Sequence, residues 1–220
     1  GALAALAFAP TFGAEPVQAN SPAQSISAPK GDAPKADLPK TDIPKTDVPR
    51  PDDVKTGEIN EPTPHKEANP STFTGTSVIN ESKTFEHQRF DNTTSDQNSF
   101  IGKNKATITI NSSVFDKTGN TTNDDNSNFR GQNAVVLGIE GSQTRIKNSN
   151  ITSNSIGSNA VFATGAGSVI NVENTNIHTK SDSSRGLDAT YKGTVNGKNL
   201  TITTEGAHSA TLATDRGEGT

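Results

Sequence analysis

The sequence has no cysteine, no methionine and no tryptophan, and it carries a single tyrosine among 220 residues. Without cysteine there is no disulfide, no thiolate metal site, no cysteine nucleophile and no lipid anchor on a thiol within these residues. Large apolar side chains are also scarce. Hydrophobic residues make up 29% of the chain, and mean hydropathy is −0.65. A compact globule of this length needs more apolar surface than that to offset the entropy of ordering its chain. A thin column lined by small and β-branched residues needs less, and a long solvated arm dilutes the apolar content further. An excess of one charge is missing too: 20 basic against 24 acidic residues leave a net charge of −4. No basic stripe offers itself to nucleic acid or to anionic lipid, so neither is an expected partner.

The chain falls into four stretches. Residues 1–19 open with Gly1-Ala-Leu-Ala-Ala-Leu-Ala-Phe-Ala9, an apolar run of about nine residues against the roughly 20 that a membrane span requires. It reads as the tail of a secretory signal, with Val17-Gln-Ala19 placing small residues for cleavage before Asn20. Residues 20–70 contain Gly31-Asp-Ala-Pro-Lys35, Ala36-Asp-Leu-Pro-Lys40, Thr41-Asp-Ile-Pro-Lys45 and Thr46-Asp-Val-Pro-Arg50. Proline at every fifth position removes backbone donors and fixes φ, and the residue before it is pushed to extended geometry. With Asp and Lys alternating, this stretch is expected to be a disordered, polyproline-like spacer. Residues 71–105 are polar, with isolated Phe73, Phe85, Phe90 and Phe100, and read as a lead-in or N-terminal cap.

From residue 106 to 220 a pattern recurs. Ile110-Asn-Ser-Ser-Val-Phe115, Ile146-Lys-Asn-Ser-Asn-Ile151, Val172-Glu-Asn-Thr-Asn-Ile177 and Val195-Asn-Gly-Lys-Asn-Leu200 each place two apolar residues around four mostly polar ones. Three of them carry Asn just before the closing apolar position: Asn150, Asn176 and Asn199. Their starts are 36, 26 and 23 residues apart. A second motif interleaves, with Gly131-Gln-Asn-Ala-Val-Val-Leu137 paralleled by Gly157-Ser-Asn-Ala-Val-Phe-Ala163. Looser echoes are Arg185-Gly-Leu-Asp-Ala-Thr190 and Gly206-Ala-His-Ser-Ala-Thr-Leu-Ala213. Helical repeats need longer units with two periodic helices, leucine-rich repeats need a Leu ladder, and a β-sandwich does not reuse one motif at near-constant spacing. Three short strands and their turns fill one unit of this size as a coil of a parallel β-helix. Alternation such as Thr107-Ile-Thr-Ile110 points one side chain into the column and the next into water. The fold class expected is therefore all-β, a parallel β-helix solenoid preceded by a disordered Pro-rich arm.

On these repeats the chain resembles the right-handed β-helix surface proteins of bacteria, which include pertactin-like autotransporter passengers and adhesin-like repeat proteins. The resemblance covers residues 106–220, and Ser184 to Tyr191 together with Ala210 to Gly219 look like such adhesin repeats. It implies right-handed coiling and a secreted or cell-surface protein that attaches to a host-surface or extracellular-matrix ligand, carbohydrate included. It also implies a longer solenoid than these residues hold, with an outer-membrane barrel or a wall anchor outside them.

β-Helices also host polysaccharide lyases and hydrolases, the alternative reading. Such sites need converging carboxylates and bases. Asp188 and Asp215, 27 residues apart and thus near one coil length, are the best candidates, with Arg185 and Arg216 beside them. The turn-like Asp215-Arg-Gly-Glu218 argues for solvated charge instead, so no catalytic residue is assigned. His65, His87, His178 and His208 form no zinc-ligand spacing. Asp124-Asp-Asn-Ser-Asn128 is acidic but lacks the order of a calcium loop, and reads as an insertion that accounts for the 36-residue spacing. Thr164-Gly-Ala-Gly167 lacks the Lys and helix of a phosphate loop and reads as a tight bend. The Thr rows of Thr201-Ile-Thr-Thr204 are too irregular between coils to template an ice or crystalline-polysaccharide surface. No metal and no cofactor is expected.

Overall fold

The computed structural model describes residues 67–220. The leader expected over 1–19 and the spacer expected over 20–70, apart from its last four residues, lie outside the described residues.

Strands of four or five residues with apolar side chains at alternate positions are too short to bury themselves; stacking in parallel closes a shared core. The first coil runs β1 (Gly75–Ile79), β2 (Lys83–Glu86) and β3 (Arg89–Asn92). The second runs β4 (Asn98–Gly102), β5 (Thr107–Asn111) and β6 (Val114–Lys117). The third runs β7 (Val136–Gly138), β8 (Gln143–Lys147) and β9 (Asn150–Ser153). In the next two coils the second and third strands are continuous across their bend. There β10 (Val161–Thr164) precedes β11 (Val169–Thr179), and β12 (Leu187–Thr190) precedes β13 (Thr194–Thr204). β14 (Leu212–Asp215) opens the sixth turn. One sheet has the order β1-β4-β7-β10-β12-β14, and the other strands stack from coil to coil in the same parallel sense. The protein is a parallel β-solenoid of about six turns.

Inward residues form columns. One is Phe90–Phe115–Ile151–Ile177–Ile202. A second is Phe85–Ile110–Ile146–Val172–Gly197. A third, on the six-stranded sheet, is Phe100–Val136–Val161–Leu187–Leu212. Coil pairing thus begins at Gly75, within the stretch read as lead-in or cap. Phe85, Phe90 and Phe100 are core residues of the first two coils: Phe90 stacks on Phe115 with ring centroids 4.8 Å apart, and Phe100 meets Phe90 edge-on at 5.3 Å. The five-residue step from Phe85 to Phe90 is the same as from Ile110 to Phe115, the one signal that marked them.

The last repeat sits two residues away from its expected register. Val172 pairs with Gly197 rather than Val195, and Val195 pairs with Ile170. Asn199 accordingly stacks on Asn174, not on Asn176. The physical reason is Gly197, which leaves an inward slot without a side chain. A Cβ there would lie 2.7 Å from Leu200 Cδ1 and 3.1 Å from Leu187 Cδ1, so those leucines already occupy the space. The Gly131 and Gly157 motifs are likewise one residue out of step, because Val136 pairs with Val161.

Two ladders hold the bend between second and third strands. His87, Ser112, Asn148, Asn174 and Asn199 all have φ between 48° and 52°, the left-handed region that Asn tolerates best after Gly. Amides of the upper three bond in file, Asn174 to Asn148 and Asn199 to Asn174. Beside them, the Gln88, Ser113 and Ser149 amides donate to the hydroxyls of Ser113, Ser149 and Thr175 one coil on. Each hydroxyl donates to the carbonyl two residues before it, so the Gln88, Ser113 and Ser149 amides are all satisfied at the bend.

Candidate functional site

The outward side of the six-stranded sheet is buried from Ile101 to Asp188, although Val78 at its first strand is exposed. Its column reads Val78–Ile101–Leu137–Phe162–Asp188–Ala213. The chain covers this column itself. Ala68 and Phe73 pack on Ile101, Leu137 and Phe162 from the N-terminal side. The insertion between β6 and β7, which accounts for the 36-residue step, ends in a single π turn, Asn126–Arg130, and lies across the same face. Gly131 closes that turn at φ 77°, and a Cβ on it would come within 2.7 Å of the Phe162 ring. Ser127 Oγ donates to the Gly157 carbonyl (2.7 Å), Asn159 Nδ2 to the Ser127 carbonyl (3.2 Å), and Thr190 Oγ1 to the Phe129 carbonyl (2.9 Å).

Asp188 occupies a slot that its neighbours along the column fill with apolar side chains. It is 1% exposed, and neither carboxylate oxygen has a hydrogen-bond partner. Arg185 Nη1 stands 3.6 Å away and is also held by Asn128 Oδ1 at 3.0 Å. Burial pushes the Asp188 carboxyl up to about 7 from its ordinary 3.8, against the opposing pull of Arg185. Asp215, on the next coil opposite Thr190, adds to the rise. The unfolded chain releases this proton near pH 4, whereas the folded chain holds it until about pH 7. Stability from this group is therefore complete below about pH 4 and lost as pH rises towards about 7, an upper limit of about 4 kcal/mol before relaxation. Asp188→Asn is expected to remove that decline, so that urea midpoints of the variant and the native chain converge in acid and the variant is the more stable at neutral pH.

Around this point lie residues that the sequence alone did not single out. Glu67 Oε2 accepts from Arg130 Nε (2.7 Å) and from the Tyr191 hydroxyl (2.5 Å). Arg130 lies over the Tyr191 ring and Arg216 over the Phe129 ring, at 3.7 and 3.9 Å. Arg216 reaches Glu67 at 4.0 Å. Of the four candidates named from sequence, Arg185 and Asp188 do meet. Arg216 joins the seam through Phe129, and Asp215 is exposed. The structure shows a closed seam there, not a groove with converging acids.

The remaining candidates are dispersed. His87 and His208 sit in left-handed bends at φ 52° and 55°. His178 faces outward on β11 and pairs with Glu205, and His65 lies outside the described residues. Asp124 and Asp125 line a shallow cavity of about 380 Å³, and no group of three or more His, Asp or Glu able to hold a metal occurs among the described residues. Thr164-Gly-Ala-Gly167 is a bend, with Gly165 and Gly167 at φ 89° and 79°. Thr201 and Thr203 stack on Asn176 and His178, so their row does not continue as threonine.

The outward face of β2, β5, β8, β11 and β13 is an open polar surface. One column runs Glu86–Asn111–Lys147–Glu173–Lys198 and satisfies itself. Asn111 Nδ2 donates to Glu86 (2.6 Å), while Lys147 and Lys198 flank Glu173 at 3.1 and 3.4 Å. These two cations hold the Glu173 carboxyl below its ordinary value. The parallel column is Thr84–Thr109–Arg145–Asn171–Asn196. Arg145 is exposed and in no ion pair among the described residues, and it lines both of the shallow cavities on this face, of about 390 and 220 Å³.

What this arrangement defines is a class, the parallel β-solenoid with one face covered by its own chain and polar faces left open. No protein-family model matches the chain, and neither the curated proteins nor the solved structures contain a match to it.

Proposed function

We propose that the chain is a non-catalytic binding module of an exported bacterial surface protein, in the manner of autotransporter passengers and adhesin-like repeat proteins. The observation that carries this reading is the open polar face, where Arg145, Asn171 and Asn196 stand in one column beside a self-paired charge column. Amides and a free guanidinium in register along coils suit the hydroxyls and acidic groups of an extended carbohydrate or matrix ligand. Two features support a binding role over polysaccharide cleavage: Asp188, the best-placed acid, is sealed from substrate, and Asp215 does not converge on it. Export and attachment to an outer-membrane barrel or wall anchor belong to the same proposal, supported by the apolar leader and the resemblance of the repeats.

The test is binding of the purified chain to immobilised host glycans and matrix proteins, paired with an assay for newly formed saccharide ends. Saturable binding that falls at least about tenfold in Arg145→Ala, with no cleavage, is the expected result; about 1.4 kcal/mol is within reach of one charge-assisted contact. Cleavage that is lost in Asp188→Asn would overturn it in favour of an enzyme.

A further inference from the structure

Within its column Asp188 stands between Phe162 and Ala213, where a carboxylate gains nothing from packing and finds no donor. A neutral acid tolerates such a slot far better than an anion, because the anion loses its hydration without replacement. The cover over this end of the column is the insertion. Asn128 is tied to Arg185, the Phe129 carbonyl to Thr190, and the Phe129 ring to Arg216. We propose that residues 126–131 form a clasp, anchored at either side by Thr121–Thr122 on Asp96 and by buried Asn133, that stays closed while Asp188 carries its proton and lifts when the carboxylate ionises, uncovering the apolar strip of Leu137 and Phe162.

Every charged group that faces this seam fits such a two-state cover. From the bend before β12, Arg185 is shared between Asp188 and Asn128, so an ionised Asp188 competes with Asn128 for the guanidinium and weakens one of the clasp's ties. From the end of β14, Asp215 disfavours a second negative charge, and Arg216 in the bend after it grips the clasp through Phe129. From the clasp itself Arg130 is neutralised by Glu67, ahead of the first coil, with the Tyr191 hydroxyl on the same oxygen. That triad contains no donor to Asp188, so in the closed seam only Arg185 and the Ala189 amide favour the ionised form, and burial outweighs them. The rise of the Asp188 carboxyl to about 7 places the switch near neutral pH. Hydration of the ion requires the cover to move, since the strand beneath it is locked in register on both sides.

The chain has no tryptophan, so Phe129→Trp supplies one reporter on the clasp. Its emission is expected to shift to the red as pH rises from about 5.5 to about 8.5, with a midpoint near neutrality, while far-ultraviolet circular dichroism stays constant. With Asp188→Asn added, the emission should remain blue throughout. Because the tryptophan could disturb its own site, amide hydrogen exchange on the unsubstituted 220-residue chain is the second readout. After correction for intrinsic rates, protection of Asn126 to Arg130 should fall across the same range, while β8 and β11 keep theirs and the Asp188→Asn chain keeps all of it. A pH-independent clasp in both readouts, a transition that survives in Asp188→Asn, or loss of protection in β8 and β11 together with the clasp would each overturn the proposal.

Discussion

Phe115→Ala is expected to lower the unfolding free energy by about 3–5 kcal/mol, seen as a fall in the urea midpoint with little change in slope. Phe115 is fully buried and sits at the junction of two columns. It stacks on Phe90 at 4.8 Å and meets Phe100 edge-on at 6.2 Å, and Phe90 and Phe100 in turn hold Phe85 at 5.4 and 6.3 Å. These four rings fill much of the interior of the first two coils, beside Ile108 and Ile110, where later coils use aliphatic side chains. Truncation leaves a void bounded by backbone ladders that cannot collapse inward, because inter-coil spacing is set by hydrogen bonding. Phe115→Leu refills most of that void and is expected to cost no more than about 1.5 kcal/mol. A loss below about 1 kcal/mol in Phe115→Ala would mean that these rings do not form one packed core.

Gly193→Ala is the second large effect, through a different mechanism. Gly193 follows the bend after β12, is buried, and has its carbonyl bonded to Thr220 N. A Cβ added to it would lie 2.3 Å from the Ala163 carbonyl oxygen and 2.5 Å from its carbon. Those atoms belong to the backbone of β10, two strands locked in register below and above, and cannot swing away as a side-chain terminus can. The fourth and fifth coils must separate or twist. A loss of about 2–3 kcal/mol is expected, concentrated in β12 to β14. Amide exchange should show protection falling there and holding in β5 and β8. Uniform loss along the solenoid would contradict this localisation.

The parts of the fold that could be read in advance were those where inward residues are aliphatic and regularly spaced. Ile110, Phe115, Ile146, Ile151, Val172 and Ile177 announce their columns by a five-residue step that recurs about once per coil. The first coil escaped because its column residues are phenylalanines in a charged context, and because Lys83 stands in the column position that Ile108 takes one coil later, its ammonium over the Phe85 ring. The last register escaped because Gly197 leaves its slot to Leu200, so the apolar residues in sequence do not mark the inward positions. Of the site, the near-coil-length separation of Asp188 and Asp215 was visible and does place them on neighbouring coils. That Asp188 is buried was not, because its cover comes from residues about 60 positions earlier, and no local pattern records which outward column an insertion will lie on. Arg145 carries no local signal for the same reason: its neighbours Thr109 and Asn171 are one coil away in each direction.

Stacking of coils in one defined register underlies everything above, and the absence of cysteine allows it to be tested by paired cysteines in an otherwise thiol-free chain. Asn176 and Thr201 are exposed register partners on β11 and β13, whereas Asn199 falls in the bend above Asn174. Parallel partners about 4.8 Å apart fall within the Cα separation that a disulfide spans. Mild oxidation of Asn176→Cys/Thr201→Cys should therefore give a rapid, quantitative intramolecular disulfide by intact mass. Asn176→Cys/Asn199→Cys should remain reduced under the same conditions. Closure of the second pair and not the first would contradict the register, and with it the stacked columns on which the core, the covered face and the open polar face all depend.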